Sequence, residues 1–369
     1  MLTVLAFLAV FGVLILVHEL GHFLMARLFK VKVLEFGFGY PPRLWGFRRG
    51  ETLYSLNLLP LGGFVKLEGE EDPSKPGSLA SKPISARALI IGAGAMMNAI
   101  LPVLLFAVLF MVPRTTTVGD VQVMEVVPGS PAAQAGIMSG DIITHVGGRR
   151  VENTMELSRQ IHLRLGSETT ITLQRPTMRQ PSLLFGAERR ATLGQDYTTH
   201  QVRVMPRWNP PEGQGPTGIR ITTVNLKEVK RSEPFWEAVP KGAVWTWETL
   251  IGFKNEITRL IVARSSPEFT GPIGIAQVTG EVAEEGILPL ISLTALLSLN
   301  LAILNILPLP ALDGGRLFFL AIEAVRRKRI PPEREALIHL VGFVLLITLV
   351  VAISYFDILR IVRGESLIR

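Results

Sequence analysis

The stretch LILVHELGHFLMARLF, residues 14–29, is apolar enough to sit in lipid and yet carries two histidines and a glutamate at its centre. A charged side chain at mid-membrane costs about 2.5–3.5 kcal/mol even on forgiving insertion scales, so something must offset it. His18 and His22 are four residues apart, which on a helix stacks both imidazoles on one face, one turn apart. Two such histidines can share a metal ion, and Glu19 can then serve a water on that metal as general base. The alternative is a polar patch lining a channel, or histidines bonded to neighbouring carbonyls.

Working outward, the 369 residues are 48% hydrophobic, with a mean hydropathy of +0.36. That is too apolar for an ordinary pair of soluble domains. Four stretches reach the roughly 20 apolar residues a bilayer requires: 2–28, 88–112, 287–309 and 336–355. The chain enters the first of these at once, with no basic leader and no small-residue cleavage pattern before His18, as expected of a retained span and not a removed signal peptide. The net charge of +7 tracks topology rather than nucleic acid. Ten Lys and Arg fall in 27–87, six in 313–335 and three in 357–369. By the positive-inside rule the first two regions are cytoplasmic. Both termini and the long polar stretch between the second and third spans are then extracytoplasmic. With no cysteine, the chain has no disulfide framework, thiol nucleophile or iron–sulfur ligand.

A catalytic zinc usually takes three protein ligands and leaves a position for water, so a third ligand should lie at the depth of the histidines. The third span runs in the same direction as the first and ends in NILPLPALDGGRLFF, residues 305–319. Pro308 and Pro310 break that helix, and Asp313 follows at a comparable depth. Asp313 is either the third ligand or an N-cap for a following helix. With a metal in place, its charge offsets the aspartate and its bonds satisfy the imidazoles. Zinc lowers the pKa of a water it holds to about 7, within reach of Glu19, and peptide hydrolysis is the natural use.

HExxH in a first span paired with N-x-x-P-x-P-x-L-D-G, Asn305 to Gly314, resembles the site-2 protease family of zinc intramembrane metalloproteases, the M50 type. EFGFGYPP (35–42) is similar to that family's GFG loop, and LPLGGFVKLEGE (59–70) to its membrane-reentrant β-hairpin. VVPGSPAAQAGIMSGDIITHVGGRRV (126–151) resembles a circularly permuted bacterial PDZ domain. The order of spans around this insert is similar to the bacterial branch that cleaves anti-sigma factors. The resemblance implies a polytopic α-helical membrane protein with a cytoplasmic-side reentrant hairpin and an extracytoplasmic αβ domain. It implies one Zn2+ per chain held by His18, His22 and Asp313, with Glu19 as base. It also implies that Asn98 and Asn305 contact substrate backbone or the developing oxyanion; an interhelical hydrogen bond is the other reading of each.

The implied organisation is a first half of a membrane core (1–112), a PDZ-like domain (115–208), a linker with an amphipathic membrane-surface region (209–286), and a second half of the core (287–369). Within the first half, β-prone runs at 52–59 and 64–67 flank Gly62-Gly63, a hairpin signal. Leu56, Leu58, Leu61, Gly62, Gly63 and Phe64 offer a strand edge on which an unwound substrate span could pair. In the PDZ-like domain, the strand near 119–123 and a helix at 155–165 are the expected groove parts. The domain could equally be a spacer that excludes bulky substrates. Tryptophans 236, 245 and 247 among charged residues in 235–262 suggest an amphipathic helix pair at the outer membrane face. His145, His162, His200 and His339 have no metal spacing and carry no assigned role.

The activity implied is cleavage within the transmembrane segment of a single-pass protein in a bacterial inner membrane, after an upstream site-1 protease has acted, with an anti-sigma factor or remnant signal peptides as substrate. A CAAX-type membrane zincin would need a glutamate ligand on a later helix and no PDZ insert. A non-catalytic PDZ adaptor would normally lack Glu19 or a ligand, and neither is missing.

Overall fold

The computed structural model describes residues 1–70, 72, 74–75, 77–177, 196–263 and 270–363. Parts of the expected PDZ-like domain (178–195), of the linker (264–269) and of the C-terminal tail (364–369) therefore lie outside the described residues. In chain order the elements are α1 (Leu2–Leu28), β1 (Val33–Arg49), β2 (Thr52–Leu67), α2 (Ile84–Met111), β3 (Arg114–Val126), α3 (Pro131–Gln134), β4 (Ile142–Val146), β5 (Arg149–Arg150), α4 (Thr154–His162), β6 (Thr169–Thr177), β7 (Asp196–Val204), β8 (Ile219–Arg231), α5 (Phe235–Ala263), α6 (Pro272–Glu285), α7 (Ile287–Ile306), α8 (Asp313–Arg326) and α9 (Pro332–Val362). They form two compact units, one of Met1–Met111, Pro234–Thr246 and Glu268–Arg369, the other of Val112–Glu233 and Trp247–Pro267.

Among the described residues, four helices are long and apolar enough to cross a membrane, α1, α2, α7 and α9, all in the first unit, and the chain is a polytopic membrane protein. Along α9, Leu340, Phe343, Val344 and Leu345 are all exposed, as side chains facing lipid should be. α1, α2 and α7 bury a common core in which Val10, Leu14 and Leu101 pack with Leu297 and Leu301. Small residues let backbones close up, a rule of helix packing in lipid. A Cβ on Gly21 of α1 would strike the Ala93 carbonyl of α2. A Cβ on Gly242 of α5 would strike Val103 of α2, and Trp245 packs edge-on against Phe110 with ring centres 5.6 Å apart.

The third helix ends at Ile306, not at Leu309. Leu307 is extended (φ −65°, ψ 143°) because a residue preceding proline is barred from helical geometry. The region 235–262 forms one helix, α5, and not a pair. Pro240 lies in its second turn, so near the helix start that its missing N–H costs the ladder a single bond without ending the helix, and no proline follows it before Ala263. α6 falls within 209–286, the stretch expected to hold a linker and an amphipathic surface region. Its signal was present as proline at the first helical position and glycine just past the end, namely Pro272 and Gly286. The buried carboxylate of Asp357 in α9 caps it, accepting from the N–H groups of Gly274 (2.8 Å) and Gly271 (3.3 Å).

β1 and β2 form a long, bent two-stranded sheet whose register brings residues 35–38 of β1 between two parts of β2. Phe36 pairs with Tyr54 and with Val65, and Phe38 with Leu56 and with Gly63. The tight turn is at Gly50 (φ +62°) and not at Gly62-Gly63. Those two glycines serve clearance instead. A Cβ on Gly62 would enter the Tyr40 ring, and one on Gly63 would lie 2.9 Å from Glu19 Cγ and 3.0 Å from Ile15 Cγ2.

The second unit is a six-stranded sheet in the order β7-β6-β4-β3-β8, with β5 paired to β4. Alternate residues Val121, Val123, Ile143, Ile171 and Leu173 point into one core with Ala132 of α3 and Leu157 and Ile161 of α4. Ser130 and Asn153 cap the two helices by accepting from Ala133 N–H and Glu156 N–H. Gly147 and Gly148, both at positive φ, make the tight turn between β4 and β5, as the Gly-Gly pair predicts. The sheet extends past residue 208, because β8 pairs with β3 along its length. This corrects the expected groove: residues 121–122 have β4 on one side and β8 on the other. Among the described residues, the edge strands of this sheet are β7 and β8. β8 is the one tied to α4, through the Thr154 N–H that donates to Thr223 Oγ1 at 3.2 Å.

Candidate metal centre

α1 carries His18, Glu19 and His22 in one helical turn, and α8 brings Asp313 to them. Asp313 Oδ2 stands 3.2 Å from His18 Nε2 and 3.4 Å from His22 Nε2, and the two Nε2 atoms are 3.2 Å apart. Ligands held 2.0–2.1 Å from a tetrahedral zinc stand about 3.3 Å from one another, so this triangle has the dimensions the ion requires. Asp313 Oδ2 is buried and has no hydrogen-bond partner of its own, an uncompensated acceptor that a cation would satisfy. Among the described residues these three make up the one cluster of potential ligands whose donor atoms converge in this way.

Asp313 does not cap the helix it begins. The cap position is Leu312, with no side-chain capping bond, and Asp313 is the first helical residue. Its carboxylate turns instead toward the histidines. Two contacts fix α8 for this task. Arg87 of α2 donates twice to Glu323, at 3.0 and 2.5 Å, and the Gly314-Gly315 pair lets α8 start against the preceding loop. A Cβ on Gly315 would lie 2.5 Å from the Leu309 carbonyl oxygen, and one on Gly314 would strike the Leu307 carbonyl.

His22 Nδ1 donates to the Ile90 carbonyl of α2 at 2.9 Å. Its proton is therefore on Nδ1, and Nε2 presents a lone pair to the centre, the usual second contact of a metal-binding histidine. His18 Nδ1 lies 3.5 Å from the side-chain amides of both Asn98 and Asn305. Asn98 is fully buried, and its backbone carbonyl accepts from Ser298 Oγ of α7 at 2.7 Å. The second and third spans thus bring both asparagines to the ring that holds the centre.

A feature the HExxH pattern did not announce is Gly94 of α2. A Cβ there would lie 2.5 Å from His18 Cε1 and His22 Nε2 and 2.6 Å from His18 Nε2. The only hint was a glycine inside the helical run GAGAMMN, where glycine costs about 1 kcal/mol against alanine.

Glu19 faces the β-sheet: a Cβ on Gly63 would lie 2.9 Å from Glu19 Cγ, and the Val65 backbone is beside its carboxylate. Residues 63–66 pair with β1 on one side only, so Gly63 and Phe64 lie on an edge next to Glu19. Leu56 does not: its backbone is paired with Phe38 on one side and Trp45 on the other, which leaves no edge for a further strand. Leu58 is exposed and has no place in the register, Gly62 packs on Tyr40, and the Leu61 side chain lies outside the described set. His145, His162 and His200 lie in the second unit, away from these ligands in the sequence, and none joins the cluster.

The model of peptidase family M50 matches residues 6–349. The chain belongs to that family, the site-2 proteases. Among curated relatives, a Clostridium perfringens protein provisionally named a zinc metalloprotease is 34% identical over 354 residues, 95% of this chain and 96% of its own length. The zinc metalloprotease RasP of Oceanobacillus iheyensis is 28% identical, over 98% of this chain and all of its own. The regulator of sigma-W protease RasP of Bacillus subtilis is 26% identical, over 97% and 99%. The M50 match thus spans both α1 and α8, the two elements that carry the triad.

Proposed function

We propose that this M50 member is a zinc-dependent intramembrane endopeptidase of a bacterial inner membrane, which hydrolyses a peptide bond within the transmembrane segment of a single-pass protein. The observation that carries the reading is the triangle of His18, His22 and Asp313 donors, spaced for zinc, with Glu19 beside it at a sheet edge. One Zn2+ per chain, when bound there, supplies Lewis-acid polarisation of the scissile carbonyl and acidifies the attacking water.

Glu19 takes the proton from that water and delivers it to the leaving amide nitrogen. Asn98 and Asn305 lie beside the His18 ring and offer amide N–H groups toward the oxyanion that develops. A helical span shields its peptide bonds within its own hydrogen-bond ladder, so the substrate must be unwound and extended before it is cut. The edge at Gly63 and Phe64 supports capture of that extended segment by strand addition. Irregular backbone at membrane depth needs protein around it, and a membrane-reentrant β1–β2 sheet packed on α1 meets that need.

The basic regions 27–87 and 313–335 support a cytoplasmic face for the hairpin and the centre, with both termini and the second unit extracytoplasmic. That unit is PDZ-like, and β8 beside α4 is where it would grip an extended chain. The division into two membrane halves, PDZ-like domain and intervening surface region belongs to the same reading. The substrate is a single-pass protein already trimmed by a site-1 protease, such as an anti-sigma factor, or a remnant signal peptide. The name of the Bacillus subtilis relative, regulator of sigma-W, favours the former.

The test is cleavage of a tagged single-span membrane protein by the purified wild type and by Glu19→Gln, with zinc quantified in both. Both should hold about one zinc, and only the wild type should cut inside the span, with turnover of the variant lowered by about 10²–10⁴-fold, the usual contribution of a general base. Equal cleavage by the two would remove Glu19 from its role, and absence of zinc from both would remove the centre.

A further inference from the structure

His339 showed no role in the sequence, yet its ring reaches from α9 to the loop that delivers Asp313. The N–H of Ala311 donates to His339 Nδ1 at 2.9 Å. Ala311 has φ +76°, the left-handed region that costs a residue with a Cβ about 1 kcal/mol or more and persists only where its surroundings enforce it. Two residues later comes the Asp313 carboxylate.

The grip on this loop has three further parts. Gly342 lies one turn from His339 on the same face of α9, and a Cβ there would strike Pro310. A Cβ on Gly315 would lie 3.2 Å from His339 Cε1, so the ring fills the space that this glycine leaves. Phe319 of α8 meets the imidazole edge-on, with ring centres 5.5 Å apart and planes at 66°. The imidazole is thus wedged between the loop and α8, with Nε2 turned toward Glu335 Oε1 at 3.9 Å and Nδ1 left to accept.

We propose that His339 is a positioning residue for the metal centre: by accepting from Ala311 N–H it locks the positive-φ turn that aims Asp313 at His18 and His22. This rests on the zinc reading above. The contribution belongs to the acceptor at Nδ1 and not to the bulk of the ring, which makes it separable from packing. In His339→Asn the shorter side chain still places an amide oxygen close to where Nδ1 stands, whereas His339→Leu keeps similar bulk and has no acceptor.

The experiment compares the wild-type full chain in detergent with His339→Asn and His339→Leu. Zinc affinity is read by chelator competition, the ligand field by absorption of the Co2+-loaded proteins, and packing by the melting temperature of the metal-free proteins. His339→Leu should bind zinc about 10–100-fold more weakly, the usual loss when a group supporting a ligand is removed, with an altered Co2+ spectrum. His339→Asn should stay within about threefold of wild type with the wild-type spectrum, and the two metal-free variants should melt alike. Wild-type zinc affinity in His339→Leu would overturn the proposal, as would equal losses in both variants, which would assign the effect to ring packing. A wild type that binds no zinc in the same titration would overturn the metal centre itself, a distinct failure.

Discussion

Replacing Gly94 by alanine adds one methyl group at the point where α2 packs against both histidines of the centre. That Cβ would stand 2.5 Å from His18 Cε1 and from His22 Nε2. Ordinary side-chain contact begins at about 3.4–3.5 Å, so the rings must retreat by about 0.9 Å or the α2 backbone must. Metal–ligand distances tolerate about 0.2 Å, so the shift is several times what the centre can absorb. The expected loss of zinc affinity is at least about 100-fold, above the usual range for groups that only support a ligand. Fold stability should not fall in step, because alanine is favoured over glycine inside a helix by about 1 kcal/mol. Gly92, two residues earlier on α2, is the internal control: a Cβ there meets only Leu317 Cδ1, at 3.7 Å. Gly92→Ala should bind zinc and cleave as the wild type does. Chelator competition measures the affinity and thermal melting of the metal-free proteins measures the fold. A Gly94→Ala protein that binds zinc within about threefold of wild type would refute the placement of the two histidines against α2.

Three further outcomes follow from other contacts. Gly63→Val should lower turnover about tenfold or more with zinc binding unchanged, because its side chain pushes the sheet edge away from Glu19 and Ile15; zinc titration beside a cleavage assay separates the two effects. Asp357→Ala should destabilise the protein by about 1–3 kcal/mol, the cost of buried N–H groups left unbonded at Gly271 and Gly274, whereas Asp357→Asn keeps an acceptor and should lose less; thermal melting would expose an error if both behave alike. Arg175→Met should destabilise the sheet unit by about 3 kcal/mol, since Asp141 is buried and loses the guanidinium that donates to it twice at 2.8 Å; denaturant titration followed through strand-sensitive circular dichroism would show no shift if the pair were idle.

Much of this was legible because it is local. Length and apolar content suffice for a membrane span, since every backbone group in lipid must be satisfied within its own helix. The i, i+4 spacing of His18 and His22 likewise needs only helical geometry. The turn at Gly147-Gly148 and the strand Ile142–Val146 were readable for the same reason. The errors were where partners come from far along the chain. Leu56 reads as an edge residue from its apolar run, but the register with Phe38 and Trp45 puts it inside the sheet. Gly62-Gly63 reads as a turn, and a clash with Tyr40 and Glu19 is what calls for glycine there. The run 119–123 reads as an open groove strand because its pairing with β8, far later in the chain, leaves no local signal.

The sequence by itself determined the membrane class, the zinc-type motif on one helix face and the candidate third ligand, because each depends on residue chemistry and short-range periodicity. Only the tertiary structure decided that Asp313 meets the histidines instead of capping α8, that Gly94 clears the space between them, and that His339 braces the loop behind them. Those are contacts between segments far apart in the chain, set by how close the helices can pack. That closeness depends on the clearance at individual glycines and on which buried polar groups find a partner, and neither is a property of any one segment.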